Sequence, residues 1–380
     1  MRLLDICDYV TDKIDIENVH IDNYVSTDNM IANKAGIMSA ISMPKIKKVQ
    51  AFKENDILVS NIRPYFKKIW QATAEGGCSN DVLVFRAKKK IESKYLYYIL
   101  SDDRFFEYAM LTSKGTKMPR GDKKALMEYK VPDFEYSIQR KISLLLSNID
   151  RKIEVNNAIN NNLEQQAKAL FHSLFVDNAN PTWKDGVLSD IGTIVAGGTP
   201  SKSKPEYYSE HGIAWITPKD LSLNKSKFIS HGETDISELG FSKSSATKMP
   251  AGTVLFSSRA PIGYIAIAAN EVTTNQGFKS VVPNENVGTA FMYYLLKWLL
   301  PTIERMSSGS TFKEISGAGM KAVPVIIPDN ETIENFNAFC VPIFQQQEIL
   351  EAENFRLSNI RDTLLPKLMS GELDVSNIDL

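Results

Sequence analysis

The sequence predicts an α+β protein in which two repeated globular α/β units are joined by two long antiparallel helices paired as a coiled coil, with pseudo-twofold symmetry. Three observations carry the prediction. Short motifs recur in the same order at a nearly constant offset, two long runs keep an apolar three-four spacing, and a length of 380 residues suits two domains better than one. Apolar residues make up 43% and charged residues 23%, the balance of an ordinary globular protein, so fold arguments apply throughout.

The repeat begins with Asp5-Ile6, which returns as Asp190-Ile191, 185 residues on. Arg63, after Ser60-Asn61-Ile62, answers Arg259 after Ser257-Ser258, and Ser79-Asn80-Asp81 answers Thr274-Asn275-Gln276. Tyr95 to Leu100 matches Phe291 to Leu296, Ser113-Lys114-Gly115-Thr116 matches Ser307-Ser308-Gly309-Ser310, and Val131-Pro132-Asp133 matches Ile327-Pro328-Asp329. These later pairs are 194 to 196 residues apart, so the second copy holds some ten extra residues between Val195 and Gly252. The segment from Gly197-Gly198-Thr199-Pro200 through Thr217-Pro218 is loop-like by its Gly, Pro and Ser content.

Within each copy the elements follow one order. Stretches rich in Val, Ile and Phe predict strands over Asp56 to Ser60 and Val82 to Arg86, and over Thr253 to Ser257 and Tyr264 to Ala268. Helical spacing follows over Ser93 to Leu111 and Thr289 to Met306, each leading into a Ser-x-Gly turn. A last short strand is expected at Val131-Pro132 and at Ile326-Ile327-Pro328.

Each copy then closes with a long helix. Ile142, Leu145, Ile149, Ile153, Ile159, Leu163, Leu170 and Leu174 keep a three-four spacing with no Gly or Pro between Ile138 and Phe175. A helix of that length needs a partner. Ile333, Phe336, Cys340, Ile343, Leu350, Leu357, Leu364 and Leu368 supply one, with Gln347, Asn354 and Arg361 filling polar core slots that fix register. Pro342 lacks a backbone donor, so the second helix is expected to start near it after a separate turn. The simplest closed arrangement pairs the helices antiparallel; the plainer alternative packs each on its own domain. The expected division is 1–134 and 179–330 for the globular units, with helical regions at 135–178 and 331–375.

The net charge of -1 hides an uneven distribution. Residues 1–30 are acidic, whereas Lys45, Lys47, Lys48, Lys53, Arg63, Lys67 and Lys68, then Lys114, Lys117, Arg120, Lys123 and Lys124, make the first copy locally basic. Cys7, Cys78 and Cys340 fit neither a disulfide framework nor a zinc site and read as buried apolar residues. His20, His172, His211 and His231 lack metal-ligand spacing, so no metal site is expected. The longest apolar run, Ala290 to Leu300, contains Lys297 and is too short to span a bilayer; with no signal-peptide core near Met1, a cytoplasmic location is expected.

Catalytic motifs are missing. A base methyltransferase needs a glycine-rich cofactor loop with an Asn-Pro-Pro or Pro-Cys motif, and neither occurs. Gly197-Gly198-Thr199-Pro200-Ser201 lacks the Gly-Lys-Ser/Thr ending of a phosphate loop, and Glu92-Ser93-Lys94, the one nuclease-like triplet near Asp81, falls at a helix start. What remains is a set of donors on loops, the chemistry that reads DNA: Arg and Lys for phosphate and guanine, Asn and Gln for adenine. In the first copy these are Arg63, Tyr65, Lys67, Lys68, Asn80, Lys114, Lys117 and Arg120. In the second they are Thr199, Ser201, Lys202, Lys204, Arg259, Tyr264, Asn275, Gln276, Ser308 and Lys313. Asn80 and Asn275 fit a tight turn as well as adenine.

At this point the residues match a family. Gly197-Gly198-Thr199-Pro200-Ser201, Pro205-Glu206-Tyr207, Ile213-Ala214-Trp215-Ile216, Ser258-Arg259-Ala260-Pro261-Ile262-Gly263 and Thr274-Asn275-Gln276-Gly277-Phe278 form a series. It continues through Ser308-Gly309-Ser310-Thr311, Gln345-Gln346-Gln347-Glu348-Ile349 and Leu365-Pro366-Lys367-Leu368-Met369-Ser370-Gly371-Glu372-Leu373. The chain resembles the DNA-specificity (S) subunit of Type I restriction-modification systems. The resemblance implies two target-recognition domains, each reading half of a split sequence in double-stranded DNA. It also implies helices that hold two methyltransferase subunits and set the half-site spacing, with restriction/translocase subunits joining them. It implies a non-catalytic chain with no cofactor of its own, S-adenosylmethionine, ATP and Mg2+ belonging to the partners. The first copy departs from the pattern, with Arg63-Pro64-Tyr65-Phe66 in place of Arg-x-Pro-x-Gly and no Gly-Gly-Thr-Pro loop. Other readings are a specificity subunit of a Type II-like (IIB/IIG) methyltransferase-nuclease, a single-chain nuclease or methyltransferase, and a coiled-coil scaffold that does not touch DNA.

Overall fold

The computed structural model describes every residue except 260, 309–312, 377 and 379–380. Ala260 of the Arg259 motif and Gly309-Ser310-Thr311 of the Ser-x-Gly turn therefore lie outside the described residues. The chain divides into two compact units: Met1–Ile153 with Arg356–Leu380, and Glu154–Phe355.

In the first unit, strands Cys7–Tyr9, Val82–Ala87, Ile57–Ser60 and Ile69–Gln71 form an antiparallel sheet in that order. In the second, Gly192–Ala196, Lys279–Pro283, Val254–Ser258 and Ile262–Ala268 repeat the order, and Phe228–Ile229 adds a parallel edge strand. The duplication read from the motifs is thus a duplication of sheet topology. A further parallel pair is shared: Tyr24–Val25 with Gly76–Cys78, and Trp215–Ile216 with Thr273–Thr274. The first recurring motif also has a local cause. Asp5 and Asp190 each reach back from the first turn of a four-residue helix to accept the N–H of Arg2 (2.7 Å) and Val187 (2.8 Å), satisfying one otherwise unpaired donor.

Strand alternation gives each main sheet two buried faces. In the first unit Ile57 and Val59 face a core with Phe85, Tyr95, Leu96 and Ile99, while Leu58 faces Val10, Phe52 and Val84. In the second, Val254 and Phe256 pack with Phe291 and Leu295, and Leu255 packs with Ala266 and Phe278. Phe171 lies at the centre of the second unit's core, with ring centroids 5.2 to 6.0 Å from Phe175, Phe291, Phe336 and Tyr294.

The long helices are Tyr136–His172, extended by a wider turn at Ser173–Asp177, and Asn330–Ser370. Within each unit their segments lie antiparallel. In the first, Ile142 and Leu146 share a buried core with Leu365 and Leu368, and Arg361 Nη1 donates to Asp150 Oδ1 (3.1 Å), so partner numbers fall as helix numbers rise. In the second, Asn156 Nδ2 donates to Asn354 Oδ1 (2.9 Å), Asn354 Nδ2 to Asn157 Oδ1 (2.8 Å) and Gln347 Nε2 to Asn160 O (3.2 Å). Each of the three polar core residues expected to fix register, Gln347, Asn354 and Arg361, therefore finds a polar partner on the opposing helix, which a one-turn slip would take away.

Four local expectations differ. The helical stretch from Ser93 to Leu111 is two helices, Ser93–Ser101 and Asp103–Leu111, because Asp102 adopts extended backbone and caps the second by accepting from Arg104 N (2.9 Å). The closing strand of the first unit reduces to one backbone bridge between Arg2 and Lys130, whereas Pro324–Ile327 is a full strand against Lys184–Val187. The second long helix runs straight through Pro342. Burial of Phe336, Cys340 and Ile343 around it offsets the roughly 3 kcal/mol that an internal proline costs. The loop-like segment after Gly197 holds short elements at Pro205–Tyr207, Tyr208–Ser209 and Trp215–Ile216. Cys7, Cys78 and Cys340 are buried free thiols, and burial pushes each up to about 12. Among the described residues no helix is long and apolar enough to cross a membrane.

Candidate nucleic-acid interface

In the second unit, strand Val254–Ser258 delivers Arg259 and strand Thr273–Thr274 delivers Asn275 and Gln276 to one rim. The Gly-Gly-Thr-Pro loop is laid against that rim. A Cβ on Gly197 would stand 2.0 Å from Asn275 O and one on Gly198 2.3 Å from Ala246 N, so the backbone approach requires glycine at both. Gly198 N donates to Thr274 O (2.8 Å), and Gly198 O accepts from the buried Trp215 indole (3.0 Å). Thr199 Oγ1 donates to Gln276 Oε1, joining the two loops by their side chains.

These contacts enclose a cleft of about 680 Å³ lined by Thr199, Lys202, Arg259, Asn275 and Gln276, with Trp215, Thr217, Lys219, Asp220 and Glu233. Five residues singled out in the sequence thus share one cleft. Asp220 is committed inside the wall: Oδ2 accepts from Thr217 N (2.7 Å) and Oδ1 from Glu233 N (2.9 Å), capping the helix Pro218–Leu223. Lys219 pairs with Glu233 at 2.5 Å and Arg259 with Glu314 at 3.5 Å. Asn275 Oδ1 accepts from Gly277 N (2.9 Å), so the turn reading holds for that oxygen while the residue still lines the cleft. A rim with Arg, Lys, Asn and Gln together offers donors to phosphate oxygens and to base edges at once.

The other second-unit residues do not line it. Ser201 pairs with Ser203 (2.9 Å) and Lys204 with Glu206 (3.9 Å). Tyr264 lies under the Lys225 ammonium, 4.5 Å from its ring centroid. Ser308 exchanges backbone hydrogen bonds with Glu314, and Lys313 is exposed.

In the first unit the selected residues gather around Arg63. Its N–H donates to Pro119 O (2.8 Å), in a hairpin where Lys114 and Arg120 exchange backbone bonds and Lys117 is exposed at the tip. Arg120 pairs with Asp81 (3.3 Å), beside Asn80, whose Oδ1 accepts from Lys13 (3.2 Å). Lys114 pairs with Asp122 at 2.6 Å; with the N–H groups of Ala125 and Lys124 it holds that carboxyl down at about 2. Tyr65 is exposed on the turn after Arg63, Lys67 pairs with Asp103 (2.8 Å), and Lys68 donates to Thr27 O (2.6 Å). Lys114–Arg120 and Ser308–Glu314 are the same backbone bridge, 194 residues apart, so Arg120 and Glu314 are equivalent positions of opposite charge. Sequence reading missed that reversal, although extending the Ser-x-Gly match by six residues exposes it.

Also unread in the sequence is how the second unit's cleft is mounted. Just beyond the cleft-wall helix, Glu351 accepts from Lys227 N (2.9 Å) and Phe228 N (3.1 Å). The buried Lys227 ammonium reaches Glu164 (2.5 Å) and Gln347 (2.6 Å) and sits 4.3 Å from the Phe344 ring centroid. Burial alone would raise the Glu164 carboxyl, but the ammonium groups of Lys227 and Lys297 hold it at about 2. Burial pushes the Tyr294 phenol up, and its hydroxyl donates to Glu164 at 2.8 Å. In the first unit Tyr98, equivalent to Tyr294, donates to Asp150 (2.7 Å), the carboxylate held by Arg361. No group of three or more His, Cys, Asp or Glu that could hold a metal occurs among the described residues.

The repeated sheet with loop-borne donors at its rim defines a two-unit recognition protein. Residues 1–165 and 180–352 match the Type I restriction modification DNA specificity domain, and the chain belongs to that family. It is 26% identical over 436 aligned positions to the HindI specificity subunit of Haemophilus influenzae, covering 92% of this chain and 94% of that one. It is 42% identical over 151 residues to the MjaIX specificity subunit of Methanocaldococcus jannaschii, a match that spans 39% of this chain and 35% of that relative. The crystal structure of the S subunit from M. genitalium has the same fold, with a TM-score of 0.64, 17% identity and coverage of 99% of this chain and 96% of that one.

Proposed function

We propose that the chain is the sequence-specific DNA-recognition subunit of a Type I restriction-modification complex. In this reading residues 1–134 and 179–330 each read one half of a bipartite target in double-stranded DNA. The observation that carries it is the second-unit cleft, where Thr199, Lys202, Arg259, Asn275 and Gln276 converge on a rim built by backbone contacts rather than on a set of catalytic groups. The helical regions 135–178 and 331–375 dock two methyltransferase subunits and set the half-site spacing, and restriction/translocase subunits complete the assembly. S-adenosylmethionine, ATP and Mg2+ act on those partners, and the complex works in the cytoplasm. The chain itself contributes recognition and no chemistry.

Replacing residues 1–134 by those of a relative with a different target tests this reading. The complex should then protect DNA in which one half-site alone has changed, as read by methylome sequencing of the host. A simultaneous change in both halves, or protection by the chain without its partners, overturns it.

A further inference from the structure

We propose that Tyr65 and Phe66 of the first unit form an aromatic wedge that enters a base step of the first half-site and kinks the duplex. The inference rests on the DNA-reading role proposed above and goes beyond it by assigning a mode of contact.

Tyr65 is 48% and Phe66 37% exposed, two adjacent rings with centroids 4.6 Å apart and planes tilted by 53°. They stand on the single turn Pro64–Phe66, flanked by Arg63 (φ 50°) and Lys67 (φ 49°). Both flanks occupy the left-handed region, which a residue with a Cβ adopts only when its surroundings impose it. Here they do. Arg63 N donates to Pro119 O (2.8 Å), Asn33 N to Phe66 O (2.8 Å), Lys34 N to Lys67 O (2.9 Å), and Pro64 is buried. The turn is a rigid mount that keeps the rings from folding back onto the core.

Among the described residues the second unit has no such feature. Gly263, 196 residues after Lys67, keeps the positive φ (93°), but the chain there is already strand Ile262–Ala268 and no ring stands in place of Tyr65 or Phe66. Cations frame the first-unit pair. The Lys68 ammonium is 5.7 Å from the Phe66 centroid, and Lys34 and Lys67 share the single carboxylate of Asp103 at 2.7 and 2.8 Å. Three ammonium groups against one carboxylate leave the rim positive, suited to flanking phosphates, while the rings offer apolar surface to an opened base step. That combination is how wedge residues unstack and kink DNA.

The test uses the assembled complex with its methyltransferase subunits and a duplex carrying the target read from the host methylome. The duplex bears 2-aminopurine at successive steps of the first half-site and a fluorophore pair at its ends. The wild type should raise 2-aminopurine fluorescence at one step and shorten the end-to-end distance. Tyr65→Ala combined with Phe66→Ala should abolish both signals and weaken target binding by about ten- to a hundredfold. It should leave the slope of log affinity against log salt unchanged, because no charge is removed. Phe66→Leu, still an apolar wedge, should keep the kink. The proposal is overturned if the wild type binds without unstacking any step, if the double variant leaves signal and affinity as they were, or if that variant instead sheds the methyltransferase subunits. Absence of any salt-dependent DNA binding by the wild type would bring down the DNA-reading role itself, a separate result.

Discussion

Lys227 and Glu164 meet at 2.5 Å inside the second unit, tying the segment behind the cleft to the central helix, while Glu351 of the other helix holds the same segment by its backbone. Removing one partner strands the other. Lys227→Met is expected to destabilise the second unit by about 3–5 kcal/mol, read as a lower urea midpoint with the slope unchanged. A loss below about 1 kcal/mol would show that the pair is not a structural clamp.

The same carboxylate gives the unit an acid limit. A carboxyl held below its ordinary value stabilises the fold fully above that value and loses its contribution as pH falls through the lowered one. For Glu164 the window runs from 4.5 down to about 2. Wild-type stability should drop across it by about 3 kcal/mol more than that of Glu164→Gln, measured by thermal unfolding at stepped pH. Parallel curves for the two proteins would rule this out.

The Gly-Gly-Thr-Pro loop predicts a sharp contrast between glycines. Gly198→Ala drives a Cβ against the Ala246 and Ser245 backbone, whereas Gly317→Ala meets nothing closer than 3.8 Å. The first should abolish protection of the second half-site and leave the first half-site's specificity intact; the second should be silent. Equal phenotypes in a protection assay would sever the loop from recognition.

Arg259 is half-exposed and shares its charge with Glu314 at 3.5 Å. Arg259→Ala should cost about 1–3 kcal/mol of target affinity if it reads a base, and should lower the salt slope by about one if it holds a phosphate. Glu314→Gln, which frees the guanidinium, should raise affinity for non-specific DNA. Titrations over a salt series separate the three outcomes.

Asp5 and Asp190 perform one task in the two units, so Asp5→Ala and Asp190→Ala should each cost about 1 kcal/mol. A loss confined to one of them, seen by differential unfolding, would mean that the repeated motif has no common energetic role.

Much of this architecture was legible in sequence because repeats and periodicities are local patterns. The recurrence of Arg63 and Arg259 and the register of Gln347, Asn354 and Arg361 follow from motif spacing, whereas the meeting of Thr199 with Asn275 and Gln276 in one cleft does not. What spacing could not show was pairing across long intervals. Lys227 looks like an ordinary surface lysine until Glu164, Gln347 and Tyr294 close around it. The break at Asp102 was hidden because the apolar pattern continues across it, and the continuity through Pro342 was hidden because tertiary packing overrides local propensity. Tyr65 was legible as a DNA-contact candidate, but Phe66 was not, and only the structure shows the two rings exposed together on a strained turn.

The three buried thiols give the chain reporters of its own opening. Cys7 and Cys78 lie in the first unit and Cys340 in the second, all sealed by burial and held as unreactive thiols near neutral pH. Pulsed alkylation followed by peptide mapping would therefore time the unfolding of each unit separately in the unmodified protein. Labelling of Cys340 ahead of the other two would identify the cleft-bearing unit as the first to open.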